Sequence, residues 1–476
     1  MASKQPADLF HHDEDEPPAT YTALKGAALD AAFRGGLNAL GAFDRTHFAS
    51  FQPGRERSQD RVVVENIAIG DDVWRLRCIF DGHAGHAAVD YIQQAIVPAL
   101  RARLAAVEPA PQADAAAVSA ALSSALLAID DAIGRDAREL FPPDIALLSD
   151  AQILEIADDH KGGGPGTNHE KLLRAKSGST ALVALVDPRG ARLWVASLGD
   201  CTAALCTREE RGGPWRVERL SANHNGVDPE EAARVRAEHP GEEEAMLNDR
   251  VVGTIAVTRG ASVASFATLG DFFCKHPAAF VRRVLVASDP IPKFSATTLD
   301  GFLARLRTPP YVSALPEVRC VRLGLRGDVG PADQLLVMFS DGLPECVLDD
   351  FSDPEPYLRI LPRILDRALD AVARHGGDDS NSTLDAGTTS LDSSPASPAT
   401  DPATNLAAAI VRETLAGGEE YHPVMQAVRD GGAVAEKPSD APLDHAERDD
   451  RLSQLLTVDI GGKWMDDVTA VVYRLR

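Results

Sequence analysis

Short apolar runs of strand length recur along this chain, and three of them border aspartate. Asp81 follows the run RLRCIF, Asp341 follows LLVMFS, and Asp466 with Asp467 precedes VTAVVYRL. Runs of this length that are rich in β-branched residues are typical of strands. Such strands stand near the beginning and at the end of the chain, and helical segments interrupt them. The pattern predicts an α+β fold with antiparallel sheets rather than a parallel βαβ sheet.

The individual elements are predicted from local periodicity. RVVVENIAI, from Arg61 to Ile69, and Trp74–Phe80 predict two strands. Thr180–Asp187 and Ala191–Leu198 predict a hairpin, because a Pro-Arg-Gly turn separates them. Apolar residues at helical spacing predict a core helix at Ala115–Arg138, which contains serines and is too short in its apolar part to span a bilayer.

Composition narrows the class of partner. Acidic residues number 71 against 48 basic residues, and the formal net charge is -23. A nucleic-acid-binding protein needs a basic face to neutralise phosphates, so nucleic acid is not an expected partner. The acidity favours solubility, or alternatively a cluster of carboxylates that holds cations. The six cysteines are scattered, and we interpret them as reduced thiols of an intracellular protein.

Two segments have compositions that predict disorder. Residues 1–20 form an acidic arm, and residues of about 375–404 form a low-complexity insertion rich in Ser, Thr, Asp and Pro. The remainder, 21–476, is predicted to be one domain. The N-terminal segment lacks an apolar stretch and its first arginine is Arg34, which favours neither a secretory signal nor a transit peptide.

The aspartates at strand ends suggest a cation site. Carboxylates that meet at the rim of a sheet repel each other, and such a cluster is stable with counter-cations. A set of oxygen ligands favours hard ions such as Mg²⁺ or Mn²⁺. An aspartate before glycine at the end of a strand is also typical of a simple turn, and sequence spacing does not show that the three positions converge.

Six ordered boxes link the chain to a known family. They are FDGHAG (Phe80–Gly85), SGSTA (Ser177–Ala181), VASLGDCTAAL (Val195–Leu205), LSANHN (Leu220–Asn225), LLVMFSDGLPE (Leu335–Glu345) and DDVTAVV (Asp466–Val472). In this order they resemble the boxes of the protein phosphatase 2C (PP2C, or PPM) family of metal-dependent serine/threonine phosphatases. Six boxes in order are far more specific than one short motif.

The resemblance implies a four-layer αββα sandwich, in which helices flank two antiparallel sheets, and a centre with two Mg²⁺ or Mn²⁺ ions. By position, Asp81 would bridge the two cations and the carbonyl of Gly82 would bind one of them. Asp341 and Asp466 would bind the other cation. Asp60 would hold a water bound to the metal.

Three further residues receive roles from the same resemblance. Asp200 matches a position that helps a third, weaker cation, and Arg55 matches a phosphate-binding arginine of some members. His83 matches the general acid, which would protonate the departing seryl or threonyl oxygen. Without the boxes, His83 would be interpreted as a helix-capping histidine and Arg55 as a surface arginine.

Within the family, the chain is most similar to the pyruvate dehydrogenase phosphatase branch. EHPGEE (Glu238–Glu243) and PPYVSALPEV (Pro309–Val318) resemble segments of that branch, as does the Asp-Asp form of the last box. The resemblance implies a pyruvate dehydrogenase-like phosphoprotein as substrate and the mitochondrial matrix as location. The acidic N-terminal segment instead favours the cytosol or nucleus, and both locations stay open.

The chain also departs from the family pattern. Gln59 stands where the family has Glu, Asn223 replaces the Asp of the Asp-His box, and Thr202 replaces an Arg. Arg259 and the Leu269–Asp271 segment resemble an R-x-x-G-D box split by an insertion. Two rival hypotheses are therefore a pseudophosphatase that binds partners without turnover and an acidic interaction protein. The presence of the aspartate ligands favours an enzyme over the first rival, and the ordered boxes disfavour the second.

Overall fold

The molecule is described here from a computed structural model, in two compact units. Unit 1 comprises Met1–Ser58, Ala203–Arg219 and Asp328–Arg476, and unit 2 comprises Gln59–Thr202 and Leu220–Gly327. The structure describes residues 4–6, 20–54, 56–108, 114–158, 167–224, 229–248, 250–253, 255–256, 268–288, 291, 296–323, 332–347, 353–376, 401–429, 444–459 and 465–475.

The strands are short and occur throughout the chain. In order they are β1 (Lys4–Pro6), β2 (Thr20–Thr22), β3 (Leu37–Phe43), β4 (Thr46–Phe51), β5 (Arg61–Ile69), β6 (Asp72–Phe80), β7 (Gly82–His83), β8 (Gly178–Ser179), β9 (Ala181–Val186), β10 (Arg192–Leu198), β11 (Thr202–Arg208), β12 (Arg216–Arg219), β13 (Met246–Leu247), β14 (Arg250–Val251), β15 (Ile255–Ala256), β16 (Leu269–Gly270), β17 (Glu317–Arg322), β18 (Asp333–Phe339) and β19 (Val468–Arg474).

The helices fall between these strands. They are α1 (Ala27–Gly36), α2 (Ala87–Leu104), α3 (Ala115–Arg138), α4 (Asp150–Ala157), α5 (Asn168–Lys176), α6 (Pro229–Glu238), α7 (Ala278–Phe280), α8 (Ala296–Arg305), α9 (Gly342–Glu345), α10 (Glu355–Gly376), α11 (Leu406–Arg429) and α12 (His445–Thr457). A π-helical segment, Val281–Val286, continues α7.

Unit 2 is built on a five-stranded antiparallel sheet in the order β17-β10-β9-β6-β5. The two predicted strands are confirmed as β5 and β6, which pair with each other and bury apolar residues in one core. The predicted hairpin is confirmed as β9 and β10, which pair in antiparallel register. Helices α2 and α3 pack on this sheet and bury their apolar faces in the same core. A second, three-stranded sheet in the order β16-β8-β7 carries His83.

Helix α3 confirms the predicted core helix. By length and composition it could cross a membrane, yet its apolar face is occupied by the protein core. Val118, Leu122 and Ile133 are fully buried. The described residues contain no other helix that meets the same criteria of length and hydropathy.

Unit 1 is built on a six-stranded antiparallel sheet in the order β12-β11-β18-β19-β4-β3, on which α11 packs, with α10 beside it. Strand β11 follows β10 closely along the chain but belongs to this six-stranded sheet. Helix α11 begins at Leu406 and continues to Arg429. Asn405 precedes it, and its buried amide donates to the carbonyl of Gly41 on β3 at 2.9 Å.

The α+β class, with antiparallel sheets and flanking helices, is confirmed. The predicted N-terminal arm stays a prediction, although Lys4–Pro6 pairs with Thr20–Thr22 as a short ribbon and residues 7–19 lie outside the described part. The predicted insertion overlaps the end of α10 and a turn at 401–404, and its remaining residues, 377–400, also lie outside the described part. The six cysteines are free thiols, as predicted.

Candidate functional site

Three acidic side chains of unit 1 lie together at one end of two central strands of its sheet. Asp341 follows β18, Asp466 precedes β19, and these two strands are antiparallel neighbours with Phe339 opposite Ala470. One carboxylate oxygen from each of Asp341, Glu345 and Asp466 lies within 4.8 Å of the other two. Each of the three residues is half-buried.

The backbone of these two strand ends explains why the acids converge. The Ser340 amide donates to the carbonyl of Thr469, and the Thr469 amide donates to the hydroxyl of Ser340. Gly342 begins α9, and a Cβ there would lie 2.2 Å from the carbonyl oxygen of Asp467. Since no side chain fits at that distance, the glycine permits the two segments to approach so closely.

A second set of predicted residues lies in unit 2, where several strands of its five-stranded sheet begin or end. Asp60 precedes β5 and Asp81 follows β6, where Arg61 pairs with Phe80. Asp200 follows β10, and β10 pairs with β9 so that Leu198 lies opposite Ala181. Asp60 is 4% exposed, whereas Asp81 and Asp200 are half-buried.

Thr180 links the two loops that carry Asp81 and Asp200. The Asp81 amide donates to the Thr180 hydroxyl at 3.2 Å, and the Thr180 amide donates to the Asp81 carbonyl at 2.9 Å. The same hydroxyl lies 3.2 Å from the Cys201 thiol, next to Asp200. These contacts hold the two loops in a defined position at the sheet edge.

His83 forms a buried contact with Asp271. Its Nε2 atom lies 2.7 Å from Oδ2 of Asp271, and the side chains are 5% and 2% exposed. The Thr268 hydroxyl donates to the same oxygen at 2.8 Å. Burial by itself would raise the pKa of the Asp271 carboxyl, but His83, the Thr268 hydroxyl and the Lys275 ammonium outweigh burial and hold that pKa below its ordinary value.

The chemistry of these residues fits a divalent cation. Carboxylates this close in unit 1 repel one another, and all the predicted ligands offer oxygen, which is the donor that Mg²⁺ and Mn²⁺ prefer. Oδ1 of Asp341 and Oδ2 of Asp466 are shielded from solvent. An all-oxygen set of this kind is ill suited to a soft metal.

The structure describes most, but not all, of the predicted site residues. Arg55 and Arg259 lie outside the described part of the chain. Glu345 was missed by the sequence analysis, although its place four residues after Asp341, on the same side of a helical turn, was a usable signal. The contact between Asp271 and His83 was also missed, because 188 positions separate the two residues.

Two segments that resemble the pyruvate dehydrogenase phosphatase branch contact each other in unit 2. The rings of His239 and Tyr311 stack with their centroids 4.0 Å apart. The Tyr311 hydroxyl donates to Glu242, and the Thr308 hydroxyl donates to the same carboxylate at 2.6 Å. The two segments therefore form one local structure rather than two independent loops.

Comparisons with known proteins point to the same family as the boxes of the sequence. A family model described as Protein phosphatase 2C matches residues 45–351. A protein phosphatase 2C homolog of Schizosaccharomyces pombe is 28% identical over 306 residues, which are 63% of this chain and 59% of that protein. The mitochondrial pyruvate dehydrogenase phosphatase 1 of Homo sapiens is 34% identical over 196 residues, 40% of this chain and 33% of that protein.

The matched region is therefore shorter than the relatives themselves. It spans less than two thirds of each of these two proteins. A solved structure of a serine-threonine phosphatase 2C from Toxoplasma gondii is 15% identical, covers 96% of this chain and 99% of its own, and superposes with a TM-score of 0.43.

Proposed function

This chain belongs to the protein phosphatase 2C family, and on that premise we propose that it hydrolyses phosphoserine and phosphothreonine in a protein substrate. The observation that supports the proposal most directly is the group of three carboxylates, Asp341, Glu345 and Asp466, at the ends of β18 and β19. Carboxylates that lie this close together are expected where a cation is bound.

The proposed ligands are oxygen atoms. They belong to Asp81, the carbonyl of Gly82, Asp341 and Asp466. Asp200 is proposed to assist a weaker third cation. Mg²⁺ and Mn²⁺ both suit such ligands, and we propose two such ions for each active site.

When bound, two such cations make hydroxide available near neutral pH and withdraw charge from the phosphoryl oxygens. Asp60 is proposed to orient the attacking water, and Arg55 to bind the equatorial phosphoryl oxygens. As the oxygen of a hydroxide bonds to phosphorus, the bond to the seryl or threonyl oxygen breaks, and that oxygen keeps the electron pair. His83 is proposed to donate a proton to it, so the products are phosphate and the free hydroxyl.

The substrate we propose is a pyruvate dehydrogenase-like phosphoprotein. Several relatives are named mitochondrial pyruvate dehydrogenase phosphatases, with 30–34% identity to part of this chain. The stacked His239 and Tyr311 belong to the segments that carry this resemblance. Comparing the rate on phosphorylated pyruvate dehydrogenase with the rate on a generic phosphothreonine peptide tests the proposal. Equal specificity constants would contradict this substrate and leave the phosphatase activity intact.

Activity on a phosphothreonine peptide is expected to require added Mn²⁺ or Mg²⁺ and to disappear with EDTA, because the proposed ligands are carboxylates. Phosphate release from purified protein measures this, and re-addition of Mn²⁺ in excess over EDTA is the control. Release that persists unchanged in EDTA would contradict the metal mechanism. Binding of Mn²⁺ without any release would indicate a pseudophosphatase.

Gln59 is expected to weaken the binding of one cation. Its side-chain oxygen accepts a hydrogen bond from the Gly85 amide at 3.2 Å, in the loop after His83. A glutamate could accept the same bond and add a negative charge, and changes to outer-shell groups commonly alter metal affinity or activity about 10–100-fold. Gln59→Glu is therefore expected to lower the Mn²⁺ concentration for half-maximal rate.

The matched control is Gln94→Glu, which adds the same charge at an exposed position of α2. Both variants and the wild type are titrated with Mn²⁺ under identical conditions. Superimposable curves for wild type and Gln59→Glu would show that the amide of Gln59 does not weaken metal binding. Glu56 would then be a candidate for supplying the missing negative charge.

A further inference from the structure

One edge of the His83 ring faces Asp271 and the backbone of strand β8. Besides the 2.7 Å contact with Asp271, Nε2 faces the backbone of Gly178. A Cβ at residue 178 would lie 2.3 Å from Nε2 and 2.4 Å from Oδ2 of Asp271. Only glycine therefore allows the imidazole and the carboxylate to meet across this strand.

The three-stranded sheet brings the pair together. His83 lies on β7 opposite Gly178 on β8, and β8 pairs on its other side with β16, which Asp271 directly follows. Asp271 has a φ of 51°, an uncommon conformation for a residue other than glycine. Its amide donates to the Ser177 carbonyl at 3.1 Å. Backbone strain of this kind persists where surrounding contacts determine it, and it is frequent at functional sites.

A second buried pair anchors the same turn without touching His83. The Gly270 amide donates to Oδ1 of Asp130 at 2.8 Å, and the Lys275 ammonium lies 2.7 Å from the same oxygen. Lys275 also donates to the carbonyl of Thr268 at 2.9 Å. The turn is thus held from α3 as well as from β8, so Asp271 has little freedom to move away from the imidazole.

We propose that Asp271 is the positioning residue of His83, accepting a hydrogen bond from Nε2–H so that Nδ1 is the atom that gives its proton to the leaving seryl or threonyl oxygen. This inference rests on the proposed phosphatase activity and names a residue that serves it. The contacts of Asp271 hold the pKa of its carboxyl below the ordinary value, so the ionised carboxylate has no proton to donate and the proton in the contact belongs to Nε2. Among the described residues, the ring has no other hydrogen bond.

The balance of the step follows from this arrangement. The Nδ1–H bond breaks, the proton bonds to the oxygen that left phosphorus, and the electron pair of the former bond stays on Nδ1. The Nε2–H proton remains between His83 and Asp271 throughout. Asp271 therefore supplies orientation and a fixed negative charge, and it does not change its own protonation.

The test compares two substrates that differ in their leaving group. A threonine alkoxide is a poor leaving group that needs a general acid, whereas p-nitrophenolate leaves without one. Asp271→Asn is expected to lower kcat on a phosphothreonine peptide about 10–100-fold. The same variant is expected to keep kcat on p-nitrophenyl phosphate within about threefold, since general-acid assistance adds little there. A loss that is equal on the two substrates would overturn the inference.

Two further variants make the test independent of folding. Asp187→Asn is the matched control, because it removes the charge of another buried aspartate of unit 2, at the turn between β9 and β10, and it should leave the ratio of the two rates unchanged. Thr268→Val keeps Asp271 and removes one hydrogen bond to its Oδ2, so it should change the ratio in the same direction by a smaller factor. If Asp271→Asn does not fold, a wild-type ratio in Thr268→Val overturns the inference.

A double variant that combines His83→Ala with Asp271→Asn completes the experiment. If Asp271 acts through the imidazole, adding Asp271→Asn to His83→Ala should cause no further loss on the phosphopeptide. Additive losses would contradict the inference. Absence of Mn²⁺-dependent activity in the wild type on both substrates would instead contradict the proposed function itself.

Discussion

Asp81→Asn is expected to reduce turnover of a phosphothreonine peptide by more than the factor of about 10–100 that outer-shell changes commonly cost, because a proposed direct ligand of both cations loses its charge. The fold should persist, since Asp81 is held by backbone hydrogen bonds to Thr180 that the substitution leaves in place. Steady-state kinetics across a range of Mn²⁺ concentrations measure both the rate and the requirement for the metal.

The control for this variant lies at the opposite end of the same strand. Asp71→Asn removes an identical charge from an exposed turn before β6, and it should behave as wild type. Wild-type rates in Asp81→Asn at every Mn²⁺ concentration would mean that Asp81 is not a metal ligand, whatever the other variants show.

Asp341→Asn is expected to remove most of the stabilisation that Mn²⁺ gives to the wild-type protein. A ligand that binds only the folded state adds about 2.7 kcal/mol to the free energy of unfolding at about 100 times its Kd. Asp341 is one of three carboxylates with oxygens within 4.8 Å, so its neutralisation weakens the attraction of this group for a cation. Thermal melts with EDTA and with Mn²⁺ measure the effect without relying on catalysis.

An exposed aspartate of α10 in the same unit provides the comparison. Asp370→Asn changes the net charge by the same amount outside the cluster, so its Mn²⁺-dependent shift in melting temperature should equal that of the wild type. An undiminished shift in Asp341→Asn would place the stabilising cation elsewhere and would remove the main support for a metal site in unit 1.

The sequence alone predicted the parts of this protein that depend on short-range patterns. The strands at Arg61–Ile69 and near Trp74–Phe80 and the helix Ala115–Arg138 were predicted because alternation and helical periodicity report directly which face of an element is buried. The family was also readable from the sequence, since six boxes in order carry enough information to exclude coincidence. Asp341 and Asp466 were singled out because each borders an apolar strand.

What the tertiary structure alone decided concerns residues that are distant in sequence. Only the antiparallel pairing of β18 with β19 brings Asp341 and Glu345 next to Asp466, more than a hundred positions away. The partner of His83 was equally unreadable, because Asp271 reaches the imidazole across a glycine of the intervening strand β8. Local periodicity reports burial and local conformation, whereas these contacts depend on which strands pair and in which register. Sheet pairing is the physical step that turns scattered carboxylates into a site.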